Sequence, residues 1–219
     1  MTTTIAAMPG ILDPMTLLGY FGPWALVGLL VVIFIESGIL FPVLPGDTLL
    51  FVAGMLAAGT ATHANTELHD QFNIWLLLVT VPIAAILGGQ IGYFIGRFIG
   101  VEMFKPDARF LKQKYLEEAH AFFEQRGPFA ILLARFVPIV RTLAPITAGA
   151  AKMGHTSFTL YNVIGAVVWG CGMTLLGYGL GQFEIVQKLL DPIFILIAVA
   201  SVSPMIWEWY KRRKAAQTS

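Results

Sequence analysis

Four charged residues interrupt apolar stretches of this sequence: Glu36, Asp47, Arg135 and Arg141. An Arg at the centre of a bilayer costs about 2.5–3.5 kcal/mol by insertion scales, so a charge at that depth needs a partner, a cavity or a ligand. Arg offers a planar fork that grips phosphate bidentately, and it stays charged at any relevant pH. Glu and Asp take up protons when desolvated, which makes them candidates for proton coupling. Glu36 has no capping context and is the better proton carrier. Asp47 follows Pro45-Gly46 and precedes Thr48-Leu49-Leu50, so capping a returning helix competes with that role. If the segments carrying these residues meet, two acids face two guanidinium groups in a site that is neutral when empty. The competing expectation is a buried ion-pair network that only locks the segments together.

Other polar positions are weaker candidates. Asn162 and Trp169 lie seven apart, on one face of a helix. Packing between helices is at least as good a reading for both as contact with a substrate. Gln90 and Tyr93 either line a path or hydrogen-bond across helices. His63, His69, His120 and His155 form no pair with metal-ligand spacing and read as surface or interfacial, so no metal or other cofactor is expected. Cys171 is the single cysteine, which excludes an internal disulfide and a cysteine-based zinc cage; its apolar run suggests a packed thiol. No Gly-x-Ser-x-Gly elbow or His-Glu-x-x-His pattern occurs, so no enzyme is expected.

These residues sit in a chain of 219 residues that is 57% hydrophobic and only 12% charged, with a mean hydropathy of +0.74. Soluble domains carry about 25% charged residues, so the composition belongs to a membrane protein with one polytopic domain. A net charge of +1 provides no basic face for nucleic acid. Residues 1–21 lack the basic region of a cleavable signal. Asp13 to Phe21 reads as a short interfacial helix, with Tyr20, Phe21 and Trp24 at headgroup depth.

Apolar stretches cover about 22–40, 45–60, 74–99, 128–150, 158–181 and 192–209. A spanning helix needs about 20 apolar residues, which 74–99, 158–181 and 192–209 supply. Pro42, Pro45 and Gly46 interrupt the first region, and Pro138 and Pro145 interrupt the fourth. Broken backbone at membrane depth survives only where protein or a wet cavity satisfies it, so both read as re-entrant hairpins. Residues 22–40 are also long enough to span outright.

The halves resemble each other. Gly22-Pro23-Trp24-Ala25-Leu26 recurs as Gly127-Pro128-Phe129-Ala130-Ile131, Ala53-Gly54 as Ala148-Gly149, and Gly92-Tyr93 as Gly177-Tyr178. The expected fold is therefore all-α: two opposed re-entrant hairpins in an inverted repeat, plus a C-terminal transmembrane helix. Unit one covers about 22–99, an amphipathic cytoplasmic helix 106–126, unit two 127–183, and the last helix with its basic tail 186–219. No Lys or Arg occurs in residues 1–96, whereas they collect at 97–126 and 211–214, which places those regions and the C-terminus in the cytoplasm. Inverted repeats of this kind put a substrate near the midplane.

The pattern Glu36-Ser-Gly, Leu44-Pro45-Gly46-Asp47, Ala134-Arg135-Phe136-Val137-Pro138-Ile139-Val140-Arg141-Thr142, Asn162 to Trp169 and Gly177-Tyr178 resembles the DedA family of bacterial inner-membrane proteins. The resemblance runs from about 20 to 185. It implies two opposed hairpins and translocation of undecaprenyl phosphate or phosphatidylethanolamine, with dependence on proton or sodium gradients. It also implies that family function depends on positions 36, 47, 135 and 141. Some relatives carry Asp and Asn where this chain has Gly89 and Gly92, which removes a polar contribution there.

Residues and resemblance together lead to a lipid translocase of the bacterial plasma membrane. Arg135 and Arg141 would bind a lipid phosphate, while Glu36 and Asp47 would couple protons. A proton- or cation-coupled small-solute exchanger and a non-transporting scaffold are the rivals. Gly88-Gly89 and Gly92-xxx-Gly96 permit close packing within one subunit or in a homodimer.

Overall fold

The computed structural model describes residues 14–38, 46–59, 72–103, 127, 129–136 and 138–183. Pro42 and Pro45, the segment with His63 and His69, the segment 106–126 with His120 that the sequence reads as amphipathic, and residues 186–219 lie outside these residues.

All regular structure among the described residues is helical. The elements are α1 (Pro14–Phe21), α2 (Ala25–Gly38), α3 (Gly46–Ala57), α4 (Ile74–Met103), α5 (Phe129–Ala134), α6 (Pro138–Ala150) and α7 (His155–Leu180). A lipid-facing chain must satisfy its backbone within each segment, and helices do so. Among the described residues, three helical runs are long and apolar enough to cross a membrane: Leu18–Gly38, Ile74–Ile99 and His155–Leu180.

The first run bears on the hairpin expected at 22–40. Gly22 takes a left-handed φ of 49° and Pro23 follows within a single 3-10 turn, Gly22–Trp24. Pro suits the start of a helical turn because its missing N–H has no partner there anyway. The chain therefore passes from α1 into α2 with no loop, and 21 residues form one apolar run. Gly127, the glycine of the second Gly-Pro, has the same left-handed geometry (φ 63°).

A second expectation needs correcting. Pro145 does not break its segment but lies inside α6. Its ring packs close to α4, where a Cβ on Gly92 would stand 3.1 Å from it. The interruption falls instead at Arg135–Phe136, where single-turn bonds close α5 (Arg135 N–H to Leu132 O, 3.3 Å; Phe136 N–H to Leu133 O, 3.1 Å). α4 similarly contains Pro82. The missing N–H frees the Leu78 carbonyl, which accepts from the Cys171 thiol at 3.5 Å.

α3 packs along α7, α6 along α4, and α4 against α7. The repeated motifs meet crosswise in this packing. A Cβ on Gly54 would lie 2.9 Å from the Tyr178 nitrogen, and one on Gly149 would lie 2.7 Å from the Arg97 nitrogen. Only glycine allows backbones to approach so closely. One core gathers α1, α2, α3 and the first half of α4 with Ala166 and Trp169; a second surrounds Tyr93, Ile131, Ala148 and Phe158. α6 ends in a left-handed Lys152 (φ 57°) with Met153 N–H bonded to Ala148 O at 3.0 Å, a Schellman turn that aims the chain into α7.

Candidate functional site

The site is built where α2, α3, α6 and α7 converge. Glu36 comes from the last turn of α2 and Asp47 from the first turn of α3, where the helix dipole favours an anion. Arg141, on the first turn of α6, reaches both. Its Nη2 donates to Glu36 Oε1 and its Nη1 to Asp47 Oδ1. The Glu36 side chain is 6% exposed and that of Asp47 33%, so Asp47 is the open end of the cluster. The second oxygen of Glu36 presses on Gly46, where no Cβ has room.

Trp169 completes the group from α7. Its indole N–H donates to Asp47 Oδ1 at 2.9 Å, and its ring faces the Arg141 guanidinium carbon at 5.0 Å. A cation over an indole is attracted by the ring quadrupole. Asp47 is thus held by side chains from two other helices, Arg141 of α6 and Trp169 of α7.

Arg135 is placed differently. It projects from the break after α5 and is 8% exposed. Its Nη2 donates to Asn162 Oδ1 at 2.6 Å and to the Ala85 carbonyl at 3.3 Å. Asn162 is held in turn by its Nδ2, which donates to the Ile86 carbonyl at 3.2 Å. The Arg135 stem crosses α7 at Gly165, where a Cβ would stand 2.7 Å from its Cδ. The expected facing of two acids on two guanidinium groups is therefore not what forms. Both acids bond to Arg141, while Arg135 bonds to two neutral oxygens, those of Asn162 and Ala85. No carboxylate is bonded to Arg135 among the described residues.

Asn162 and Trp169 share one face of α7, as their spacing predicts, and serve the two arginines separately. Gln90 and Tyr93 bridge α4 to α7 away from the ion pairs. Tyr93 is buried, stacks on Phe158 (4.6 Å between centroids) and donates its hydroxyl to the Met153 carbonyl at 2.5 Å. Gln90 donates to Thr159 Oγ1 at 2.9 Å and its carbonyl oxygen lies 3.0 Å from His155 Nε2. Sequence reasoning missed the Ala85 and Ile86 carbonyls and the clearance at Gly46 and Gly165. Carbonyls carry no sequence signal, and which glycine a distant side chain crosses is set by the tertiary packing. It also missed why residues 89 and 92 are glycine here. A Cβ at 89 would stand 3.0 Å from the Asn162 carboxamide carbon, and one at 92 would stand 2.8 Å from the Gly38 carbonyl oxygen. Among the described residues no three His, Cys, Asp or Glu side chains gather as a metal-holding group.

Residues 44–179 match the VTT domain. An uncharacterized membrane protein of Mycobacterium tuberculosis is 44% identical over 94% of this chain and 89% of its own length. The protein named DedA of Escherichia coli is 40% identical over 91% of this chain and 89% of its own. The inner membrane protein YqjA of the same bacterium is 32% identical over 82% and 78% respectively. No solved structure matches the chain. With two acids and one arginine joined inside a membrane-spanning helical bundle, and with the VTT domain covering most of it, this chain belongs to the VTT-domain, or DedA, family of membrane proteins.

Proposed function

We propose that this protein is a membrane lipid translocase that moves a phosphate-headed lipid, undecaprenyl phosphate foremost, across the bacterial plasma membrane with protons as the coupling ion. The observation that carries the reading is the division of labour between the arginines. Arg141 is held by Glu36 and Asp47, whereas Arg135 is a buried cation bonded, among the described residues, to neutral oxygens. A phosphate would neutralise Arg135, with the prenyl tail left in the bilayer. Protonation of Asp47 and Glu36 would release Arg141, which then adds its fork to the same phosphate. Loss of those protons on the other side would return Arg141 to the acids and eject the headgroup. Alternating access would come from rocking of the two halves as an inverted repeat. Its support is the crosswise meeting of Gly54 with Tyr178 and of Gly149 with Arg97. By the distribution of Lys and Arg, the Arg97 end of α4 and the C-terminus lie in the cytoplasm.

Reconstitution into liposomes with fluorescent undecaprenyl phosphate tests this. Movement between leaflets should accelerate on an imposed proton gradient, and Arg135→Ala should abolish it. Equal movement by a correctly folded Arg135→Ala protein removes the phosphate site. Movement of phosphatidylethanolamine at the same rate would replace the prenyl phosphate with a phospholipid.

A further inference from the structure

Along α7, His155, Thr159, Asn162 and Trp169 follow each other at spacings of four, three and seven, which puts them on one face. His155 to Trp169 covers about 21 Å of helix axis, more than half the thickness of a hydrocarbon core. Exposure falls along this line. His155 is exposed, Thr159 half-buried, Asn162 1% and Trp169 6% exposed. α4 supplies the opposite wall: Gln90 is half-buried at the level of His155 and Thr159, and the Ile86 and Ala85 carbonyls lie at the level of Asn162 and Arg135.

The surface beside this seam is apolar, with Leu87 and Ile91 exposed on α4 and Leu160 and Ile164 on α7. A polar trio opening on that surface is costly against lipid tails unless something polar occupies the opening. The trio is also not the tightest tie between the helices. α4 and α7 already close on each other at Gly89 with Asn162 and at Gly170 with Val81 and Pro82. The mouth is cationic: Arg97 is exposed there, with Nη1 3.4 Å from both the Tyr93 hydroxyl and the Met153 carbonyl, and the His155 ring lies 5.4 Å from that of Tyr93. Beyond Trp169 the polar line stops, since Thr174 is buried and bonds back to the Gly170 carbonyl at 2.8 Å.

We infer that the α4–α7 seam at Gln90, Thr159 and His155 is the lateral entrance through which an anionic lipid headgroup leaves one leaflet for Arg135. The inference rests on the translocase reading and adds the route. Charge complementarity with Arg97 at the mouth and Arg135 at the end selects an anionic headgroup. The Gln90 amide and the Thr159 hydroxyl offer it hydrogen bonds on the way. Asn162 stands one turn further, about 4.5 Å along the axis, and hands it to the guanidinium.

The test labels the seam in proteoliposomes. Cys171→Ser provides the background, since serine keeps a donor for the Leu78 carbonyl. In it, Thr159→Cys and, as a lipid-facing control, Val167→Cys are treated with a membrane-impermeant sulfonated methanethiosulfonate. Thr159→Cys should react at least tenfold faster than Val167→Cys. A long-chain phosphate monoester in the bilayer should slow that reaction at least fivefold, while diacylglycerol should leave it unchanged. Gln90→Cys serves in the same way where Thr159→Cys does not fold. Failure to react, absence of protection, or equal protection by free inorganic phosphate overturns the entrance. Transport measured in the same vesicles separates the two readings. Wild-type protein that moves no lipid, while Thr159→Cys in the Cys171→Ser background is still protected by the phosphate lipid, overturns the translocase and leaves the seam as a headgroup site. Transport that survives Gln90→Leu undiminished, without protection, overturns the entrance alone.

Discussion

Trp169 gives its indole N–H to Asp47 at 2.9 Å and its ring face to Arg141, the arginine that Asp47 itself holds. One aromatic side chain from the second half of the molecule therefore fixes both members of an ion pair that joins the halves. Trp169→Phe keeps the ring face and loses the donor. A hydrogen bond to a charged group contributes about 1.5–3 kcal/mol, and Asp47 is open enough to fall at the low end. The variant should fold with a modestly lower melting temperature in detergent, and lipid transport should fall several-fold. Unchanged transport would confine the indole N–H to packing.

The Glu36–Arg141–Asp47 cluster can be told apart from a mere lock. Arg141→Ala leaves two buried or half-buried acids facing each other, and breaking such a cluster by one partner costs about 3–5 kcal/mol. Its yield and melting temperature should drop sharply. The triple variant Glu36→Gln, Asp47→Asn, Arg141→Gln removes every charge together and should regain most of that stability. It should remain inactive in transport; activity in the triple variant would reduce the cluster to structure.

Asn162→Asp places a carboxylate where Arg135 now has a neutral oxygen at 2.6 Å. An internal ion pair should hold or raise thermal stability. If Arg135 must be free for a phosphate, transport should fall at least tenfold in this well-folded protein. Full transport in Asn162→Asp would mean that the neutrality of Arg135's partners has no role.

The crosswise glycine contacts should be sensitive to a single methyl. Gly54→Ala and Gly149→Ala drive a Cβ into backbone atoms of Thr174–Tyr178 and Tyr93–Arg97 respectively. Overpacking of this kind costs about 1–3 kcal/mol. Each variant should melt earlier, as read by the monodisperse fraction after heating in detergent, whereas Gly172→Ala, with open space around it, should not.

Much of this molecule was legible in the residues alone. Apolar length marked α4 and α7 as spans, rarity marked four charges, and helical spacing put Asn162 and Trp169 on one face. Those properties are local, or arise from composition, and need no neighbour to be read. One local rule misled: Pro145 looked like a break, yet it lies inside α6. Gly22-Pro23 left open whether 22–40 is half a hairpin or a span, and one 3-10 turn carries α1 into α2 as a run long enough to span. The pairing of the charges was beyond sequence altogether. Two acids and two arginines allow several partitions, and each is electrostatically sensible on paper. Which one forms depends on where α6 crosses α4 and α3 crosses α7, and those crossings follow from backbone contact at glycines. The residues thus determined which groups are charged inside the membrane. Only the tertiary structure decided that Arg141 takes both acids and that Arg135 is left to neutral oxygens, because that choice is made by helix positions and not by residue types.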